Sequence, residues 1–186
     1  IINSPSFNPA DALREHHKKL LKKRKQLDLL IANVEKTINS IEGRIKMTDK
    51  EKFEGFKQEI IAENEKKFGR EIRKKYGDKA IDRSNEKLRK MTREQYNAAE
   101  NLAKQIMEIL AEAFKTGDPA GDLAQKAAEL HKQWLTYYWP EYSKEAHAGL
   151  AQMYVDDERF KAYYDKEQPG TAAFLRDAIL IYTGLQ

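Results

Sequence analysis

The residues best suited to chemistry in this chain are His131 and His147, each with a carboxylate two positions before it, Glu129 and Glu145. An imidazole beside a carboxylate can bind a metal or pass a proton. A helical zinc site needs its ligands one turn apart, as in His-Glu-x-x-His, and neither histidine has that spacing. Both are therefore read as helix histidines satisfied by hydrogen bonds, and no metal is expected. The paired carboxylates Asp156 and Asp157 precede Glu158 and Arg159, where helix capping and a local ion pair account for them. There is no Gly-rich phosphate loop, no Gly-x-Ser-x-Gly elbow and no cysteine. No catalytic residue and no cofactor follow from these patterns, so the chain is not expected to be an enzyme.

The same region is rich in another kind of side chain. Residues 131–164 hold nine aromatic residues, Trp134, Tyr137, Tyr138, Trp139, Tyr142, Tyr154, Phe160, Tyr163 and Tyr164, against 10% aromatic residues over the chain. Tyrosine and tryptophan combine apolar area with one polar atom, so such a cluster can line a pocket for a flat or heterocyclic molecule. The competing reading is a plain aromatic core. So many hydroxyl groups then need partners or water if buried.

Helices must position these residues. Thr92 with Gln95 three positions on is a capping box, and it opens a helix carrying Ala98, Leu102, Ile106, Ile109, Leu110 and Phe114 on one side. Asp118 and Pro119 are expected to start the next helix, which stops at Pro140. Ser143 caps a third and Asp156 or Asp157 a fourth, and a last one follows Pro169-Gly170. Upstream, Thr48 with Glu51 starts a helix bearing Phe53, Phe56, Ile60 and Ile61, expected to end near Gly69. No segment alternates with period two, so the expected class is all-α: a long N-terminal coiled-coil helix followed by six or seven shorter ones in a compact domain.

Asn8, Pro9 and Asp11 signal the start of that long helix. Leu13, Leu20, Leu27, Val34 and Ile41 recur every seven residues, and His17, Arg24, Ile31, Ile38 and Ile45 complete an a/d register. A stripe this narrow suits one partner helix, so a homodimer is expected through Leu13, Leu20, Leu27, Ile31, Val34, Ile38, Ile41 and Ile45. The isoleucines of the second half set the register. Residues 1–47 carry ten basic and five acidic side chains, which places the net charge of +4 on this helix. Its basic run has no aromatic residues to stack on bases and is read as a solvated flank. No stretch of about 18 apolar residues could span a bilayer, and the first residues lack a signal peptide's apolar run, so the expected location is cytoplasmic. The start without Met, in a Pro-Ser-Asn connector, is read as that of a fragment.

At this point a resemblance becomes specific. The run Met153 to Phe160, Met-Tyr-Val-x-Asp-x-Arg-Phe, and the run Pro169 to Ile179, Pro-Gly-x-Ala-x-Phe-Leu-x-x-Ala-Ile, resemble the TipAS-type antibiotic-recognition domain, and Thr48 to Lys57 is similar to its entry. The preceding helix and its Ser-Pro-Ser-Phe-Asn-Pro opening resemble the dimerisation helix and linker of MerR-type transcriptional activators. The resemblance implies a division into 1–47, linker and dimerisation helix, and 48–186, a globin-like effector-binding domain whose residues 48–91 are loose without ligand. It also implies an antiparallel coiled coil, a bulky antibiotic-like small molecule as effector, and DNA contact only through a winged-helix domain absent from this chain. Relatives can trap thiopeptides on a cysteine; with none here, capture must be reversible. Carried over by position, the ligand-binding candidates are His131, Trp134, Tyr138, His147, Tyr154 and Tyr163. Two other classes remain open on the residues alone, a helical protein-interaction adaptor without small-molecule ligand and a haem or metal protein using His131 or His147.

Overall fold

The computed structural model describes residues 8–43 and 47–185, and among these every regular element is an α-helix. Eight are present: α1 (Pro9–Ile41), α2 (Asp49–Tyr76), α3 (Asp78–Lys90), α4 (Arg93–Thr116), α5 (Asp122–Tyr138), α6 (Lys144–Asp156), α7 (Glu158–Tyr164) and α8 (Thr171–Thr183). The chain divides into two compact units, residues 1–68 and 69–186, with the division falling inside α2.

The caps formed as their residue types require. The Asn8 side chain accepts from the backbone N–H groups of Ala10 and Asp11, and Thr48 exchanges hydrogen bonds with Glu51. Thr92 and Gln95 form a full capping box, and Ser143 and Asp157 cap α6 and α7. Two boundaries differ from expectation. α2 runs through Gly69 to Tyr76, because one glycine in a helix interior costs only about 1 kcal/mol and the residues on both sides are good helix formers. The chain breaks instead at Gly77, whose φ of 83° a side chain would resist. Asp118 and Pro119 build a turn in which the Asp118 carboxylate accepts from the Ala120 N–H, and α5 starts only at Asp122.

In the first unit α1 buries none of its residues. Asn33 donates to Gln58 at 2.9 Å and Lys36 pairs with Glu51, so the start of α2 lies along the face of α1 that carries those two residues. The heptad stripe is left uncovered within this chain: Leu13, Leu20, Leu27, Ile31, Val34, Ile38 and Ile41 are 48–81% exposed. Ile45 lies outside the described residues.

In the second unit the core is built by α4, α5, α6, α7 and α8. Leu110, Leu135, Leu175 and Ile179 are the largest fully buried aliphatic side chains there, and Phe174 meets Phe114 edge to face at 5.5 Å. Seven alanines, Ala113, Ala124, Ala127, Ala128, Ala151, Ala172 and Ala178, fill the space between. Small residues at a crossing let helix axes approach closely, and α8 packs in this way against both α5 and α6. Gln125 ties the assembly by donating to Pro119 O at 2.8 Å and Ala178 O at 3.1 Å. If these alanines set the spacing, Ala127→Leu must overpack the crossing. Urea unfolding should then give a lower midpoint at unchanged slope, a loss of roughly 1–3 kcal/mol. An unchanged midpoint would mean that the crossing tolerates extra volume.

Candidate functional site

Within the second unit, α5 presents His131, Trp134 and Tyr138 along one face, since helical residues three to four apart lie above one another. Its C-terminal end is held in place by α3. Ser84 Oγ donates to Tyr138 O at 2.9 Å, and the Lys87 ammonium donates to Thr136 O and Trp139 O. A cation there satisfies carbonyls that have no partner inside the helix and opposes the negative end of its dipole. α6 supplies His147 and Tyr154, two helical turns apart, and the connection after Pro140 supplies Tyr142.

These side chains form one hydrogen-bonded chain through the core. Tyr154 Oη lies 3.2 Å from His131 Nε2, His131 Nδ1 lies 2.8 Å from His147 Nε2, and His147 Nδ1 lies 3.1 Å from Tyr142 Oη. The two imidazoles are nearly parallel, 8° apart, and both are buried, at 1% and 0% exposure. Beyond Tyr154 lies Tyr164, whose ring packs against it with centres 4.8 Å apart. All four ring nitrogens are thereby used.

The chain has two self-consistent settings. In one, Tyr142 O–H donates to His147 Nδ1, His147 Nε2–H donates to His131 Nδ1, and His131 Nε2–H donates to the Tyr154 oxygen. In the other every donor and acceptor is exchanged. Each imidazole holds a single proton in both.

Burial keeps the pair uncharged. It pushes His131 down from 6.5 to about 3, helped by His147, and it pushes His147 down to about 4, helped by the positive charge of Lys132. Burial also raises Tyr138 to about 12, with Glu100 and Tyr96 adding to the effect, and raises Tyr154 well above the ordinary phenol range. None of these phenols is available as a base near neutral pH.

The remaining candidates sit at the margin. Trp134 packs on His131 at 5.6 Å and on Tyr138 at 5.1 Å, and its Nε1 is shielded from solvent with no hydrogen-bond partner among the described residues. Tyr163 is 59% exposed and stands edge-on to Tyr164 at 5.1 Å. The structure thus brings His131, His147 and Tyr154 into direct contact, with Trp134 and Tyr138 beside them, while Tyr163 reaches the cluster only through Tyr164. Tyr142 completes the hydrogen-bonded chain and Tyr164 packs against its Tyr154 end, and neither is among the six candidates. Their membership in the aromatic run was the only signal for them. A surface groove of about 530 Å³ between α4 and α5, lined by Asn101, Leu102, Gln105, Gln133, Thr136 and Tyr137 among others, contains none of the six candidates.

The acidic run after α6 is structural. Asp157 accepts from the backbone and side chain of Arg159, which also pairs with Glu71 at 3.1 Å, and Asp156 accepts from Gln152. Among the described residues no three His, Asp or Glu side chains converge to hold a metal, and no helix is long and apolar enough to cross a membrane.

The second unit is thus an all-α body whose interior is aromatic and whose two buried imidazoles are held uncharged. Comparison with known proteins identifies the family of this unit. Residues 68–182 match the TipAS antibiotic-recognition domain. The HTH-type transcriptional activator TipA of Streptomyces coelicolor is 31% identical over 182 residues, covering 97% of this chain and 70% of the relative. The HTH-type transcriptional activator mta of Bacillus subtilis is 25% identical over 182 residues, covering 98% and 70%. Among solved structures, TipAS of Streptomyces lividans in complex with nosiheptide, from a thiopeptide antibiotic multidrug resistance system, is 31% identical with a TM-score of 0.56, over 75% of this chain and 96% of that one. The chain belongs to the TipAS antibiotic-recognition family, and its relatives are transcriptional regulators.

The imidazole pair makes stability depend on pH with a definite sign. In the unfolded chain each histidine binds a proton near pH 6.5, whereas in the fold neither does so until about pH 3 to 4. Between those limits the unfolded state holds more protons, so the stabilisation is complete above about pH 7 and is lost as pH falls toward 4. Urea midpoints should therefore fall from pH 7 to pH 4.5, at up to roughly 1.4 kcal/mol per pH unit for each imidazole. His147→Gln should flatten that slope. A slope indifferent to the substitution would place the proton uptake elsewhere.

Proposed function

We propose that this chain is the ligand-sensing and dimerisation region of a MerR-type, drug-responsive transcriptional activator working in the cytoplasm. Its effector is a bulky antibiotic-like small molecule, bound without a covalent bond. The observation that carries this reading is the match of residues 68–182 to a domain whose solved relative holds a thiopeptide antibiotic. The aromatic side chains Trp134, Tyr138 and Tyr163, each with some exposed surface, supply flat apolar area on which such a molecule can stack. His131, His147 and Tyr154 act from beneath by fixing those rings in place. Because the chain has no cysteine, the bound drug exchanges freely.

Two copies associate along α1 through the seam from Leu13 to Ile41, continued by Ile45. The uncovered apolar stripe supports this, since α2 lies along another face of the same helix. Residues 48–91 are rich in charge and poor in apolar area, so they order most fully when the effector adds its own surface. That ordering alters the geometry of the paired α1 helices, and a winged-helix domain outside residues 1–186 carries the change to DNA.

Nosiheptide titrated into the purified protein should quench or shift the fluorescence of Trp134 and Trp139 saturably, and mass spectrometry should find no adduct. Sedimentation equilibrium should give twice the chain mass, reduced to a single copy in an Ile31→Lys, Ile38→Lys variant. Silence toward nosiheptide and other multidrug ligands, in a protein that sediments as one copy, would sink both halves of the proposal.

A further inference from the structure

One shielded side-chain polar atom among the described residues has no hydrogen-bond partner, the indole Nε1 of Trp134. Both nitrogens of His131 are committed, one to His147 and one to Tyr154, so the imidazole against which Trp134 packs has no lone pair to offer. The other neighbouring ring, Tyr138, is tilted 55° to the indole with centroids 5.1 Å apart. The indole Nε1–H of Trp134 itself meets no acceptor among the described residues although solvent does not reach it. A shielded donor left unpaired costs about 1–3 kcal/mol, and folded proteins rarely retain one. Phenylalanine would fill much of the same volume at no such cost. The retained donor therefore points to an acceptor that arrives with a guest.

The surroundings also restrict the charge of that acceptor. The rings facing Trp134 supply no cation, since burial holds His131 uncharged, and on the Tyr138 side the nearby Glu100 carries negative charge. A carboxylate or phosphate would lose its hydration with no cation from these two rings to replace it. A neutral acceptor has no such penalty.

We infer that Trp134 is a specificity-determining donor of the effector site, and that its indole N–H selects a flat molecule presenting an uncharged acceptor, an aromatic ring nitrogen or a carbonyl oxygen. This deepens the effector-sensing proposal and rests on it, so the test separates the two. Pyridine, benzene and benzoate have similar ring shapes and offer a neutral acceptor, none and an anionic one. The ¹H–¹⁵N indole resonance of Trp134 in the whole chain, assigned with Trp134→Phe, reports on each of them and on nosiheptide.

Pyridine should move the Trp134 resonance downfield and bind several-fold better than benzene or benzoate. Trp134→Phe, checked for folding by circular dichroism, should abolish that preference and weaken nosiheptide about tenfold, the effect of one lost hydrogen bond. Equal responses to the three rings, or no response to any, overturn the inference. So does a ligand-free resonance already downfield with a cross-peak to water, which would make water the partner. Nosiheptide bound equally by wild type and Trp134→Phe overturns it while leaving the effector-sensing proposal intact. Pyridine preference in a protein silent to nosiheptide upholds the inference and removes this antibiotic from that proposal.

Discussion

The second unit depends on two neutral imidazoles hydrogen-bonded to each other where water cannot reach. His131 and His147 occupy the junction of α5 and α6, and their outer nitrogens engage Tyr154 and Tyr142. A buried polar group is stabilising only when all its partners are present, and here each member makes the next one's demand satisfiable. Exchange any one for an apolar residue and its neighbour keeps an unpaired nitrogen in a low dielectric. The chain of bonds therefore fixes the relative rotation of α5 and α6, and with it the positions of Trp134 and Tyr138 one and two turns further along α5. Close packing at the alanine crossings adds the complementary constraint, on distance where the histidines act on rotation.

Much of this was legible in the residues themselves. Capping boxes at Thr48 and Thr92, the caps at Ser143 and Asp157, and the glycines that end helices are local signals, so their positions could be read before any packing was known. The extension of α2 through Gly69 was not legible, because whether a single glycine ends a helix depends on the competition between a small backbone penalty and its neighbours' propensities. Nor was the delayed start of α5. Asp118 caps a helix or a turn with the same carboxylate geometry, and only the backbone after Pro119 decides between them.

The candidate site was legible as a composition and opaque as a geometry. Nine aromatic residues in a short run announce a cluster, yet nothing in their spacing says that His131 and His147 should meet across two helices sixteen residues apart in sequence. Helical periodicity assigns a residue to a face; the pairing of faces is a tertiary fact. Tyr142 illustrates the difficulty, since it lies in a connection, outside any periodic pattern, and its role follows only from the distance to His147 Nδ1. Tyr163 and Tyr164 are adjacent in sequence and point to opposite fates, one largely exposed and one buried, because successive helical residues face about 100° apart.

The cluster offers a guest fixed rings rather than titrating groups. Burial pushes both histidines of the cluster well below neutral and raises its buried phenols still further above it, so the cluster keeps one charge state near neutral pH. What remains is shape, polarizable ring surface and a few fixed hydrogen-bonding atoms. Selectivity then resides in the few polar atoms that are not already paired. In a core where the histidines and their tyrosine partners answer one another, an unanswered indole N–H weighs more in choosing a guest than any of the larger apolar contacts around it, because apolar contact is lost gradually with a poorer fit and a missing acceptor is lost all at once.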